Sequence, residues 1–384
     1  MDFRLTPEQE LLKAAVAGIA GGYGHEYFQA KTREGAKPDE LWAELGRGGF
    51  LGVHLPEAYG GGGMGISELT IVCEEVAAAG CPLLLILVSP AICATLLATH
   101  GSEAQKQRWL PTLATGESKM AFAITEPDAG SNSHRISTTA HKDGDVWRLN
   151  GTKYYISGVD EAEAVIVVAR TGTDEATGRA RLSLFVADID VKGFEARLIP
   201  VEIAAPEKQF TIYFDDCVLG EDRLLGREGD GLHQVFAGLN PERLMAAAVS
   251  CGIGRYALDR AAAYARERRV WDRPIGAHQG VAHPLAKAKI ELELARLMLT
   301  KAAWCYDAGL EAGEAANMAK YAAAEASLGA LDQAIQTYGG NGLASAFGLA
   351  DLWGTARLLR TAPVSREMIL NFVAQHSLGL PKSY

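Results

Sequence analysis

Glu242 and Arg243 stand side by side in Leu239-Asn240-Pro241-Glu242-Arg243-Leu244, where a loop gives way to a long Ala-rich run. A carboxylate held near an acidic C–H can remove its proton. A guanidinium offers planar donors to an anionic ligand. Neighbouring helix positions point about 100° apart, so one side chain can face a pocket while the other faces its rim. Pro241 is expected at the first helical position, where its missing N–H would be unpaired in any case. Glu242 and Arg243 then fall in the first turn, where the helix dipole favours an anion. Taken alone, the stretch reads as a helix-start charge beside a surface arginine; the rest of the chain reverses that reading. A second stretch, Ala121-Phe122-Ala123-Ile124-Thr125-Glu126-Pro127-Asp128-Ala129-Gly130-Ser131-Asn132, is an apolar strand that ends in a tight polar turn. Thr125 and the turn N–H groups can hydrogen-bond a planar ligand rich in acceptors. The same pattern also suits an ordinary strand-to-loop transition.

Composition narrows the classes. The 384 residues are 48% hydrophobic and 22% charged, which reads as globular and too long for one simple core. The net charge of −10 (37 basic, 47 acidic) argues against nonspecific nucleic-acid binding but allows a local basic pocket. The six cysteines are scattered without a C-x-x-C pair, which predicts neither a disulfide framework nor a zinc site. The nine histidines show no metal spacing, so no metal is expected. Ser131 and Ser365 have no His–Asp set that would make a hydrolase triad. The opening Met1-Asp2-Phe3-Arg4-Leu5 lacks a basic segment followed by an apolar one, and Pro82 to Leu97 is too short to span a membrane. A cytoplasmic protein is expected.

Three blocks must position these residues. Residues 6 to about 118 read as helices, with Thr6-Pro7-Glu8-Gln9 as a capped start. Gly52 to Gly63 forms a glycine-rich loop that lacks dinucleotide spacing. Helical periodicity covers Ser67 to Ala79, Ser89 to His100 and Glu103 to Leu113. From Met120 to Val218 short β-rich runs alternate with Gly/Asp/Lys turns: Val146 to Gly151, Tyr154 to Ser157, Ala164 to Ala169, Leu182 to Ala187, Ala196 to Val201 and Phe210 to Phe214. They predict an antiparallel sheet or barrel. Four helical segments follow: Pro241 to Val270, Gln279 to Ala308, Gly313 to Tyr338 and Ser365 to Ser377. The expected fold class is α+β, with an N-terminal helical domain (1–119), a middle antiparallel β-domain (120–229) and a C-terminal four-helix bundle (230–384).

The Ala121 to Asn132 stretch resembles the first signature of the acyl-CoA dehydrogenases, flavoenzymes of α–β–α architecture. Further matches run along nearly the whole chain: Leu51 to Val53 with the Pro56 to Gly61 loop, Gly101 to Gly116, Asn150 to Ser157, Pro241 to Leu244, Arg268 to Gln279, and Gln336 to Gly342. The resemblance implies FAD as cofactor. Thr125, Tyr155 and Ser157 match positions that contact the flavin ring; Tyr155 stands where a Trp is common, and a flat aromatic wall survives that exchange. Phe122, Ile124 and Ser131 match positions near the acyl thioester and pantetheine, and with Ser365 they count among the cofactor-site residues. Ser131 is a substrate-side residue too. Asn132 replaces a usual Asp. Arg268, Trp271 and Gln279 match positions that reach the FAD of a neighbouring subunit, with Arg268 on the pyrophosphate. Trp271 and Asp272 replace a common Phe-Gly. Gln336, Gly339 and Gly340 match a loop over the adenosine half of that FAD. Arg243 matches a residue that positions the CoA portion of the ligand.

The resemblance also raises the question of the base. The family removes an α-proton from an acyl-CoA while a β-hydride goes to flavin N5. Most members carry the carboxylate near the C-terminus, in a Tyr-Glu-Gly-Thr-like stretch. Counting from Gly339-Gly340-Asn341-Gly342 puts Pro363 there, or Ala362 with a one-residue shift, and neither can take a proton. Isovaleryl-type and long-chain-type members carry the base at the position matched by Glu242, which makes Glu242 the expected catalytic residue; Glu367 is the weaker candidate. In the family the backbone N–H at the Pro363 position donates to the thioester carbonyl. Proline has none, and losing one donor to a developing enolate costs about 3 kcal/mol at other oxyanion sites. Either Ala362 supplies its N–H, another donor serves, or the step is slow.

The implied function is α,β-dehydrogenation of an acyl-CoA, in a homotetramer that passes electrons to an electron-transferring flavoprotein. Alternatives on the same scaffold are an oxidase, a desulfinase, or a non-catalytic acyl-CoA- or partner-binding protein. Leu83 to Val88 and Pro90 to Leu97 are the expected lining of the acyl pocket, suited to a hydrocarbon chain rather than a carboxylated one.

Overall fold

Thr6 starts the first helix as expected. Its hydroxyl accepts from the Gln9 N–H while the Gln9 side chain accepts from the Thr6 N–H, and Pro7 occupies the first position. The computed structural model describes residues 4–383. Met1 to Phe3, which open the stretch with no leader pattern, and Tyr384 lie outside the described residues. Five α-helices follow one another: α1 (Pro7–Glu34), α2 (Asp39–Arg47), α3 (Ile66–Ala78), α4 (Thr95–His100) and α5 (Glu103–Thr115). Between α3 and α4, Leu87–Ala94 is a π-helix containing Pro90, not the start of an α-helix at Ser89. One-turn π segments are frequent at functional sites.

The middle region holds β1 (Met120–Ala123), β2 (Thr139–Asp143), β3 (Val146–Ser157), β4 (Ala164–Thr173), β5 (Ala180–Asp188), β6 (Phe194–Ile199), β7 (Gln209–Gly220) and β8 (Leu224–Leu225). The sheet runs β6-β7-β3-β2-β4-β5-β8, with β1 on β4. Most pairs are antiparallel, as expected, but β1 and β2 both meet β4 in parallel. Alternation along single strands carries no sign of direction, so the sequence could not separate these pairs.

The chain then forms α6 (Gly231–Gln234), α7 (Phe236–Glu267), the short hairpin β9 (Arg269–Val270) and β10 (Arg273–Pro274), α8 (Gln279–Asp307), α9 (Gly313–Tyr338), α10 (Trp353–Thr361) and α11 (Arg366–His376). The four expected helices are there, and the short α6 and α10 are two more that the sequence reading did not include. α3 lies along α7, and one hydrophobic core runs from Val16 and Phe28 through Val72 to Leu244, Leu292, Ala323 and Leu359. The two helical parts therefore share a core, although the whole β region separates them in sequence.

α7 begins five residues before Pro241, so the proline is interior and Glu242 is not in the first turn. Pro241 has no N–H for the Ala237 carbonyl one turn earlier. The Tyr306 hydroxyl on α8 donates to that carbonyl at 2.9 Å, which restores the missing bond.

Candidate active site

α7 and the π-helix touch at Gly238. A Cβ there would lie 3.0 Å from Ile92 Cγ2 and 3.1 Å from the Ile92 carbonyl oxygen. Only a residue without a side chain lets the two helices approach this closely. Glu242 is four residues on, so it shares the Gly238 face and looks toward the π-helix. Its carboxyl makes no hydrogen bond among the described residues. Burial pushes it up to about 7, against the opposing pull of Arg243 and Lys320. Cys93 of the π-helix responds from the other side: burial, and then the Glu242 charge, push its thiol well above the ordinary range. The stretch expected to line the acyl pocket is buried from Leu83 to Leu87 and from Pro90 to Leu97.

Arg243 is no surface charge. Its Nη1 donates to the Leu239 carbonyl at 3.1 Å and to Asn240 Oδ1 at 3.0 Å, and the guanidinium lies over the Phe236 ring. Its Nε is buried without a partner among the described residues. A buried, unspent donor of this kind suits an anionic or carbonyl ligand.

The π-helix connects this carboxylate to the strand motif. Ser89 Oγ accepts from the Met120 N–H at 3.0 Å, and Cys93 Sγ donates to the Ala121 carbonyl at 3.4 Å. Phe122 and Ile124 face the same apolar cluster as Ile92 and Cys93. The turn beyond β1 is held by a buried ion pair. Lys153 Nζ reaches Glu126 Oε1 at 2.9 Å and the Ile124 carbonyl at 3.0 Å; Glu126 also accepts from the N–H groups of Ser137 and Thr138. The Tyr154 N–H donates to the Thr125 carbonyl at 2.9 Å. Thr125, Tyr155 and Ser157 thus come together at one end of the sheet. Ser131 lies on the exposed part of that turn. Sequence reasoning missed the Glu126–Lys153 tie, and it missed Gln209, whose Nε2 donates to Ser157 Oγ at 2.9 Å. A lysine in an alternating strand gives no sign that it points inward.

Tyr155 has a positive φ of 56° and is 53% exposed. Trp271 and Asp272 have φ of 47° and 63°, and Trp271 is 84% exposed. Large aromatic residues held in the left-handed region and open to solvent cost energy. An aromatic ligand stacked on them offsets that cost. With Thr125 tied to the neighbouring Tyr154 and Ser157 two residues beyond Tyr155 on the same strand, this sheet end suits a flat, hydrogen-bonding ring such as a flavin.

Arg268, Trp271, Gln279, Gln336, Gly339 and Gly340 form a second group. All are exposed, and Gly339 and Gly340 have no atom within 4 Å of where a Cβ would lie. Tyr264 near the end of α7 stacks on Tyr338 at the end of α9, with ring centroids 4.0 Å apart, which fixes this end of the bundle. Arg268 caps the end of α7, 26 residues after Glu242, about 39 Å at 1.5 Å per residue. One dinucleotide in one subunit does not reach both. Ser365 belongs to neither group of exposed contacts: it caps α11, accepting from the Met368 N–H at 3.3 Å.

The Ala362-Pro363 segment corrects one expectation. The Ala362 N–H is already bonded to the Leu358 carbonyl at 2.8 Å, closing α10, so it is not free to serve a ligand. The Val364 N–H has no partner among the described residues, and the Val364 carbonyl accepts from Lys320 Nζ at 2.5 Å. Lys320 is the other residue that sequence reasoning missed. The signal was present: a lysine inside the Ala316, Ala319, Ala323 face of an Ala-rich helix.

Among the described residues no helix is long and apolar enough to cross a membrane. Residues 6–117, 121–217 and 229–378 match the N-terminal, middle and C-terminal domains of acyl-CoA dehydrogenases. The chain is 56% identical over 379 residues to acyl-CoA dehydrogenase FadE12 of Mycobacterium tuberculosis, covering 98% of this chain and 97% of that one. It resembles a glutaryl-CoA dehydrogenase in complex with glutaryl-CoA (TM-score 0.95, 33% identity, 100% and 98% of the two chains). It also resembles a glutaryl-CoA dehydrogenase from Mycobacterium smegmatis in complex with FADH2 (TM-score 0.92, 25% identity, 99% and 96%).

Proposed function

The chain belongs to the acyl-CoA dehydrogenase family and is an FAD-dependent acyl-CoA dehydrogenase, and we propose that Glu242 is its catalytic base. FAD, when bound, accepts the β-hydride of the acyl group. Glu242 takes the α-proton onto its carboxylate, and the electrons of that C–H bond enter the new C2–C3 double bond of the 2-enoyl-CoA. The observation that carries this reading is the unpaired Glu242 carboxyl on the Gly238 face of α7, in a site where Ala362 and Pro363 hold no carboxylate. A carboxyl lifted to about 7 by burial suits the work: it is basic enough to take a proton from a carbon acid and still ionised above neutrality.

Arg243 orients the CoA portion through its free Nε. Thr125, Tyr155 and Ser157 hold the flavin ring, Phe122, Ile124 and Ser131 border the thioester and pantetheine, and Ser365 sets the start of α11 beside Val364. With Pro363 lacking an N–H and that of Ala362 spent, the Val364 N–H is the remaining backbone donor for the thioester carbonyl.

Arg268, Trp271, Gln279, Gln336, Gly339 and Gly340 act on the FAD of a second subunit. The 39 Å of helix between Arg268 and Glu242 supports this, as does the apolar stripe of Ile290, Leu294, Leu297 and Trp304 left exposed along α8. A homotetramer is the assembly we assign, an electron-transferring flavoprotein the acceptor, and the cytoplasm the compartment. The division into 1–119, 120–229 and 230–384 is supported by the change to strand at Met120 and back to helix at Gly231. The apolar π-helix wall favours a hydrocarbon acyl chain.

Anaerobic mixing with a panel of acyl-CoAs tests this. Wild type bleaches its flavin band with at least one, and Glu242→Gln binds FAD and ligand without bleaching. Wild-type bleaching in Glu242→Gln would sink the assignment. The proline at 363 favours a second reading, a non-catalytic acyl-CoA-binding member; wild type that binds FAD and acyl-CoA but never bleaches would establish it.

A further inference from the structure

Lys320 is wholly buried on α9, on the face that also carries Ala316, Ala319, Ala323 and Ser327. An ammonium is seldom left in such a place without partners. One of its three N–H bonds is spent on the Val364 carbonyl, immediately after Ala362-Pro363. The charges that face it come from three helices: Glu242 and Arg243 on α7, Glu325 on α9 and Glu367 on α11. Glu325 is already held by Arg360 at 2.6 Å and Arg366 at 3.2 Å, and Glu367 lies 3.4 Å from Arg366. Glu242 alone among these carboxylates has no partner of its own. From the opposite side the π-helix presents Cys93, a neutral thiol bonded to the Ala121 carbonyl. The field of Lys320 therefore falls chiefly on Glu242.

We propose that Lys320 is a positioning residue for proton abstraction: it fastens the Ala362–Val364 turn to α9 and, while protonated, holds a positive charge near Glu242. This rests on Glu242 being the base. Lys320 itself takes no proton from the substrate. Its first role keeps Val364, with its free N–H, in one place. Its second opposes burial: where burial resists ionisation of Glu242, Lys320 and Arg243 favour it. Removing the ammonium makes Glu242 harder to ionise and raises the pH below which abstraction fails.

The test is the pH dependence of anaerobic flavin reduction by a saturating acyl-CoA, with the FAD-loaded enzyme. Lys320→Met removes tether and charge, Lys320→Gln keeps a donor for Val364 but no charge, and Lys320→Arg keeps the charge. In the Met and Gln variants the acid limb moves up by about one pH unit, a roughly tenfold slower reduction below it. Lys320→Arg returns the limb to the wild-type position. Lys320→Met alone also lowers the plateau above the limb. A limb unmoved in the Gln variant, with FAD content and ligand affinity retained, overturns the proposal. If Met fails to load FAD, the Gln and Arg pair decides. Glu242→Gln in the same series separates the two readings. Its retained bleaching defeats the base assignment, whereas its silence with an unmoved limb defeats only the role of Lys320.

Discussion

Glu242 meets two opposed demands, stability and reactivity, and the sign of its shift says which yields. Its folded value of about 7 lies above the ordinary 4.5, so between those limits the folded state keeps a proton that the unfolded chain has released. Stability therefore falls as pH rises from 4.5 to 7, and the loss is complete above 7. Glu242→Gln removes it. The variant is expected to be more stable than wild type by roughly 1–3 kcal/mol in mild alkali and no different in mild acid, measured by denaturant unfolding. A difference that does not change with pH would mean that the carboxyl is not held up by burial. At this scale the sequence singled out Glu242 but not its surroundings. Glu242 stood out only because Ala362 and Pro363 cannot act. Lys320, Cys93 and Gln209 went unseen because their partners lie far away in the chain.

Elements show where periodicity ends as a guide. Apolar residues from Leu83 to Leu97 mark a buried helix but do not tell an α-helix from the π-helix of Leu87–Ala94. Pro241 looked like a helix start because the bond it lacks is supplied from another helix, by Tyr306. Tyr306→Phe leaves the Ala237 carbonyl unpaired inside the bundle, and about 1 kcal/mol of stability should go with it, read as a lower Tm. Gly238→Ala puts a methyl at 3.0 Å from Ile92 and Leu96. The helices must part by a few tenths of an ångström, which carries Glu242 away from the π-helix. Flavin reduction in that variant should slow by more than its FAD content falls; an unchanged rate would show that the spacing does not set the site. α10 escaped notice because it is only nine residues long and starts without a side-chain cap.

The whole molecule was legible in order and hidden in assembly. Helix, strand and helix follow one another as the sequence reads, because each block has its own period. That the first and last blocks merge into one core is a long-range fact, made by α3 on α7, and no local pattern encodes it. The same holds for the two groups of flavin-contact residues. The sequence places Tyr155 and Trp271 in one family pattern, and the structure sets Tyr155 on β3 of the sheet and Trp271 on the hairpin that follows α7. Arg268 is exposed and outside the core, so Arg268→Ala should keep the helical circular dichroism of wild type and lose bound FAD. Full FAD content in that variant would remove the case for a shared cofactor.

The most direct measurement is exchange of the α-hydrogen of a bound, non-oxidisable acyl-CoA analogue with deuterated water, followed by mass spectrometry. It reads proton abstraction without hydride transfer. Wild type and Glu367→Gln are predicted to exchange, and Glu242→Gln is not, although it still binds the analogue. Exchange that persists in Glu242→Gln and stops in Glu367→Gln would contradict the account and move the base to α11.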